Sequence, residues 1–182
     1  MTEPSRRDRA LTVARELAEA GGWETVTMRT VSERSGSALA TLYREFPSKT
    51  HLVVALAEQE IATVRAPRPV DVRKHGSVAV VTGVLQGMTT ASLGRPRFTA
   101  AVLHGILTAG PDAADQVERL RAQLSDLLYA GLEDPHPEDP RRIDLLLDVW
   151  FGQLLATVHE RQTADSCTAL LATAVPLVLK RA

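Results

Sequence analysis

The chain has 182 residues, 45% hydrophobic, 4% aromatic and 24% charged, with one cysteine and a formal net charge of −1. That composition excludes collagenous, disordered and disulfide-stapled chains, and a lone Cys167 excludes an internal disulfide or a thiolate metal cluster. No apolar stretch approaches the roughly 20 residues that span a bilayer, and the near-zero charge, taken alone, argues against a nucleic-acid partner.

Glycine and proline divide the chain into segments of helical length. Arg6 to Ala20 carries apolar residues at 10, 11, 14, 17 and 18, one stripe of a helix that Gly21-Gly22 ends. Its basic start, Arg6, Arg7 and Arg9, reads as a flexible arm of the kind that tracks a groove. Thr27 precedes a short helix over Met28 to Arg34, with Met28 and Val31 inward and Gly36 at its end. Ser37 to Phe46 reads as a second short helix, stopped at Pro47. Ser48 is a good N-cap for a longer helix, 48–65, carrying Leu52, Val53, Leu56, Ala57 and Ile61. Pro67-Arg68-Pro69 then breaks the chain. Beyond it the pattern predicts helices over Val70 to Ser92, Pro96 to Ala109, Asp112 to Leu132, Arg141 to Arg161 and Ala164 to Lys180. Glu133 to Pro140 reads as an exposed acidic loop, and Pro176 must end or kink the last helix. Strand-like alternation of useful length is absent, as is any repeat of about 20–50 residues. The expected fold is all-α, with about nine helices.

The stretch from Thr27 to Leu56 carries the chemistry. A short helix, a tight turn at Gly36 and a second short helix are the parts of a helix-turn-helix, whose second helix enters the DNA major groove. That helix would present Ala38, Leu39, Ala40, Thr41, Tyr43 and Arg44. Small residues at its start let the backbone approach base edges. Thr41 and Tyr43 can donate hydroxyl hydrogen bonds to phosphate, and Arg44 can bond phosphate or guanine. Ser48-Lys49 opens a helix, where free backbone N–H groups and the lysine charge both favour a phosphate oxygen. Leu42 and Phe46 fit a core role better than a contact role.

The run Thr27-Met28-Arg29-Thr30-Val31-Ser32-Glu33-Arg34-Ser35-Gly36, followed by Thr41-Leu42-Tyr43-Arg44-Glu45-Phe46-Pro47-Ser48-Lys49, resembles the DNA-binding domain of the TetR family of bacterial repressors. The resemblance covers roughly residues 6 to 58 and includes Gly21-Gly22-Trp23. It implies that Thr27, Thr41, Tyr43 and Lys49 hold phosphates, while Arg29, Ala38, Leu39, Ala40 and Arg44 lie at or near the bases. Two departures stand out. Many members carry valine or isoleucine after the turn glycine and then a capping serine or threonine. Here Ser37 and Ala38 occupy those places, which moves the expected cap to Ser37, and Leu39 replaces a residue that is often polar. An exposed leucine there can touch a thymine methyl. A small-molecule-binding or carrier protein with a vestigial helix-turn-helix is the other reading these departures allow.

The expected organisation is a DNA-binding domain over residues 1–52 and an effector-binding and dimerisation domain over 53–182, joined by helix 48–65. The helices 141–161 and 164–180 are apolar on more than one face, which suggests a partner surface. The resemblance implies a four-helix homodimer interface there, and a two-fold dimer suits a pseudo-palindromic double-stranded operator. It also implies a pocket among the middle helices for a small-molecule effector. Candidate lining residues are Val84, Leu85, Met88, Phe98, Val102, Leu103, Leu107, Leu124, Leu127, Leu128 and Trp150, with His104 and Gln153 as polar orienting groups. So apolar a lining favours a lipophilic effector. His51-Leu52-Val53 and the Trp150-to-His159 helix resemble members that control steroid or acyl-CoA lipid catabolism.

Catalysis and metal binding find no motif. The histidines at 51, 75, 104, 136 and 159 lack zinc-site spacing, and there is no nucleophile elbow or phosphate loop, so no enzyme, metal or cofactor is expected. Eighteen arginines against three lysines, with 25 alanines, is a composition common in GC-rich bacteria. With a polar start and no apolar run behind it, the chain is expected at the nucleoid of a bacterial cytoplasm. Charge placement then matters more than its sum. Residues 1–52 hold eight Lys or Arg and seven Asp or Glu. The basic side chains Arg6, Arg7, Arg9, Arg29, Arg44 and Lys49 can nevertheless share one face. Weak non-specific DNA binding is expected, with specific affinity dependent on a dimer that doubles few phosphate contacts.

Overall fold

The computed structural model describes residues 5–180, so the outermost ends of the two expected domains, 1–4 and 181–182, lie outside the described residues. Among those described there are ten α-helices and a 3₁₀ turn at Trp23–Thr25. The all-α expectation holds, with one helix more than anticipated. The extra helix arises at Gly76, whose φ of +79° interrupts the predicted 70–92 segment. The result is α5, Pro69–His75, and α6, Ser77–Leu93.

Two compact units form. The first gathers the described part of Met1–Thr63 with Arg95–Leu120. α1 spans Arg6–Gly21 and starts with a reciprocal cap: Asp8 N–H donates to Ser5 Oγ at 3.1 Å, and Ser5 N–H donates to the Asp8 carboxylate at 3.2 Å. This cap corrects the expected arm, because Arg6, Arg7 and Arg9 are already helical. α2 is Met28–Ser35, with Thr27 Oγ1 accepting from Thr30 N–H at 3.1 Å. It ends at Gly36 in the left-handed region, φ +68°, with Gly36 N–H on the Ser32 carbonyl. Left-handed backbone costs an L-residue roughly 1–2 kcal/mol, so glycine suits this turn.

α3 is Leu39–Glu45 and α4 is Lys49–Thr63. The cap expected at Ser37 does not form. Ala38 occupies the N-cap with no side-chain hydrogen bond, while Ser37 is buried and its carbonyl accepts from Ser32 Oγ at 2.6 Å. α7, Pro96–Leu107, packs on both α1 and α4. Val26, Val31, Leu42, Phe46, Leu52, Val53, Leu56, Phe98 and Ala101 form one core. Arg95, just before α7, bridges Glu19 of α1 at 3.4 Å and Glu60 of α4, and Glu60 also pairs with Arg15.

The second unit gathers Val64–Gly94 with the described part of Arg121–Ala182. It holds α5, α6, the later part of α8 (Ala114–Tyr129), α9 (Asp139–Val158) and α10 (Ala164–Leu179). α6 packs on α9 and α10, with Val81, Leu85, Ile143, Leu146, Leu171 and Val175 of these helices buried, as is Leu128 of α8. Trp150 joins that core with its indole N–H donating to Thr89 Oγ1 at 3.0 Å, the partner a buried indole requires. Pro176 lies inside α10, which continues to Leu179. No helix among the described residues is long and apolar enough to cross a membrane.

Candidate nucleic-acid interface

α2, the Gly36 turn and α3 are built from the centre outward. Leu42 and Phe46 are each 2% exposed and anchor α3 to the first unit's core, as expected. With these inward, the other side of α3 faces outward: Ala38, Leu39, Ala40, Tyr43 and Arg44 are all exposed, Leu39 by 40% and Tyr43 by 47%. A bulky apolar leucine and a phenol thus sit side by side with Arg44 on one solvent-facing side of a short helix.

Two of the cations around this face, Arg29 and Arg7, are already engaged. Arg29 Nε donates to the Glu33 carboxylate at 3.0 Å, both groups well exposed. Arg7 donates to Glu45 Oε1 at 3.1 Å while its guanidinium covers the Phe46 ring at 4.9 Å. Exposed ion pairs contribute about 0.2–1 kcal/mol, so a phosphate can replace either carboxylate at small cost. Arg6, Arg7, Ser37 and Thr41 come together around one cavity of about 30 Å³, closed by Ala10, Leu42, Glu45 and Phe46. The buried Ser37 Oγ has no hydrogen-bond partner among the described residues. Thr27 Oγ1 is occupied as the α2 cap and also contacts Thr30 Oγ1 at 2.8 Å.

Lys49, at the start of α4, rests its ammonium 3.9 Å from the Trp23 ring centroid. Partial burial lowers its pKa below the usual lysine range, and the Glu24 carboxylate opposes that shift. Next to it, the ring of His51 contacts Ser48 Oγ at 2.8 Å and the Asp112 carbonyl at 3.2 Å.

The thirteen residues named for an effector pocket divide between the units. Phe98, Val102, Leu103, His104 and Leu107 are on α7 in the first, where Phe98 is core, His104 lies against Trp23 and Leu107 is 56% exposed. Val84, Leu85, Met88, Leu124, Leu127, Leu128, Trp150 and Gln153 are in the second. A cleft of about 400 Å³ there runs along α6, lined by Val64, Arg65, Pro67, Asp71, Val80, Gly83, Val84, Gly87, Met88 and Ala91. Of the thirteen, it takes only Val84 and Met88, while Leu85, Leu127, Leu128 and Trp150 are buried. Sequence reasoning missed Gly83 and Gly87, whose missing side chains open the cleft, and Arg65 and Asp71, its charged members. The signal was a glycine pair four apart on one helix. Arg68 clamps Asp71 with hydrogen bonds of 2.7 and 2.9 Å, which hold that carboxyl below its usual pKa.

Known proteins resemble the chain along nearly all of its length. Residues 10–56 match the family model described as bacterial regulatory proteins, tetR family. Residues 77–178 match the model described as tetracyclin repressor-like, C-terminal domain. The HTH-type transcriptional repressor KstR of Mycolicibacterium smegmatis is 31% identical over 177 residues, covering 96% of this chain and 87% of the relative. Its namesake in Rhodococcus jostii is 31% identical over 179 residues, covering 97% and 84%. Among solved structures, a TetR transcriptional regulator from Rhodococcus sp. RHA1 superposes with a TM-score of 0.84 at 28% identity, over 96% of this chain and 94% of that one.

Proposed function

The chain belongs to the TetR family of bacterial regulatory proteins, and from that premise we propose a homodimeric repressor that a small lipophilic effector releases from its operator. The observation that carries this reading is the outward face of α3, with Leu39, Tyr43 and Arg44 exposed beside the Gly36 turn. Thr27, Thr41, Tyr43 and Lys49 hold phosphates, and Arg29, Ala38, Leu39, Ala40 and Arg44 lie at the bases. Arg6, Arg7 and Ser37 flank them. Two copies of α3 read half-sites about 10 bp apart on double-stranded DNA. The dimer forms through α9 and α10, which pack together and leave Leu145, Leu170 and Leu177 exposed by 51, 41 and 72%. The protein acts at the nucleoid of the bacterial cytoplasm.

The effector occupies the α6 cleft, whose size fits a small molecule, since such pockets run about 300–1,000 Å³. Its lining is mostly aliphatic, with Arg65 and Asp71 the charged exceptions. α6 continues through Gly94 into α7, which packs on α1 and α4, so the chain itself leads from cleft to DNA-binding unit. Release is a population shift. The effector must bind the DNA-free conformation more tightly than the DNA-bound one, with a coupling of about 1–3 kcal/mol.

Fluorescence-anisotropy titration of DNA from upstream of its own coding region tests the function. Salt-sensitive, sequence-selective binding is expected; no binding at low ionic strength returns the chain to the carrier reading. Native mass spectrometry tests the cleft. A small apolar molecule that co-purifies with the chain is expected to be lost when Gly87→Leu fills the space.

A further inference from the structure

Lys49 is held from one side by an aromatic ring, and that ring is held in turn by a helix far along the chain. Trp23, half-buried in the 3₁₀ turn, carries the Lys49 ammonium over its face. Its ring centroid is also 4.5 Å from that of His104 on α7, with the planes tilted by 40°. α7 comes this close because residue 105 is glycine. A Cβ at Gly105 would lie 3.3 Å from Trp23 Cζ3 and 3.2 Å from Val53 Cγ1 of α4, tighter than side chains ordinarily pack. Arg97 fastens α7 to the same corner, donating to the Ala20 carbonyl at 2.7 Å. An ammonium over an indole is attracted by the ring's negative face. A lysine without such a hold keeps several rotatable bonds free and must order them on binding.

Resting on the reading of Lys49 as a phosphate contact, we propose that Trp23 is a positioning residue for DNA binding. Its ring pre-sets the Lys49 ammonium, and the His104–Gly105 edge of α7 sets where the ring lies. α7 thereby acts on the DNA-facing lysine without touching DNA. The indole touches no phosphate itself. Its effect is read through Lys49, as a loss common to all DNA sequences.

The test is anisotropy titration of the full-length chain, over a range of salt, on a duplex from its own upstream region and on an unrelated duplex. Lys49→Ala is expected to lower the slope of log K against log salt by about 0.9 for each lysine engaged. Trp23→Leu is expected to lower it equally and weaken both duplexes several-fold, while Trp23→Phe, which keeps a ring face, retains most of the slope. Trp23→Leu combined with Lys49→Ala is expected to bind no more weakly than Lys49→Ala alone. Gly105→Ala, which pushes on the ring from α7, is expected to lower the slope as well. A folded Trp23→Leu with the full slope, or a loss that adds to that of Lys49→Ala, overturns the proposal. If Trp23→Leu does not fold, Gly105→Ala carries the test, and an unchanged slope there overturns it. An unchanged slope in Lys49→Ala removes the phosphate role of Lys49 and the proposal with it, whereas a lowered slope there with an unchanged one in Trp23→Leu overturns the positioning role alone.

Discussion

Arg29 and Arg7 flank the exposed face of α3 with carboxylate partners, Glu33 and Glu45, which would compete with phosphate under the proposed DNA contacts. Both acids are exposed, so removing one costs little stability: about 0.2–1 kcal/mol for such a pair. Glu33→Gln and Glu45→Gln are therefore expected to tighten DNA binding a few-fold at low salt, alike on operator and unrelated sequence, in the same anisotropy titration. Cys167 is the opposite kind of residue, fully buried on α10, where burial pushes its thiol pKa up against a hydrogen bond to Thr157. A raised pKa leaves less thiolate at any pH, and thiolate is the reactive form. Labelling of native protein by a thiol reagent at pH 8 is expected to be slow and to accelerate only as the protein unfolds. Rapid stoichiometric labelling of folded protein would contradict this. A lone cysteine was legible in the sequence, but no pattern in it disclosed that the expected phosphate ligand Lys49 lies over Trp23.

Seven residues make α3, well below the roughly 12–15 at which an isolated helix is even marginal in water. It also lacks a side-chain cap. The helix therefore exists because Leu42 and Phe46 are buried in the first unit's core and α3 packs on α2, not because of local propensity. Phe46→Ala is expected to destabilise the chain by about 3–5 kcal/mol in urea denaturation and to remove DNA binding with it. Gly36→Ala meets no neighbour, since a Cβ there has open space, so its cost is conformational alone, roughly 1–2 kcal/mol. Helix stripes were legible in the sequence because burial on one side of a helix repeats every three or four residues. Two breaks were not. Gly76 splits α5 from α6 inside a segment that read as one helix, and Ser37 turned inward when an N-cap role was expected.

At the scale of the whole molecule, the exposed leucines of α9 and α10 are the surface that the proposed dimer would cover. Leu177, 72% exposed, is expected to be central to the dimer, because apolar area left in water by one copy is removed by the second. Leu177→Glu should shift sedimentation velocity toward the monomer while leaving the circular dichroism helical. It should also weaken operator binding far more than binding to unrelated DNA, because only the operator has two half-sites to reward a dimer. A variant that stays dimeric would move the interface elsewhere. The net charge of −1 bears on the same question. If few phosphates are neutralised per copy, specific affinity is expected to depend on two copies acting together.

By itself the sequence determined the all-helical class, the helix-turn-helix with its buried Leu42 and Phe46, and the family, because these rest on periodicity and on short-range spacing. Only the tertiary structure decided what α7 does. Its apolar residues Phe98, Val102 and Leu103 read as pocket lining. Chain compaction places Phe98 in a core with α1 and α4, with Val102 packed against it, and brings His104 to Trp23. The cleft was likewise invisible as a list of apolar residues. It is made by side chains that are missing at Gly83 and Gly87, and by Arg65 and Asp71 arriving from other segments. Burial makes a residue apolar whether it faces a ligand or a neighbouring helix, so hydrophobicity alone does not separate the two. Which apolar residue meets which depends on contacts between residues far apart in sequence, and those exist only in the folded chain.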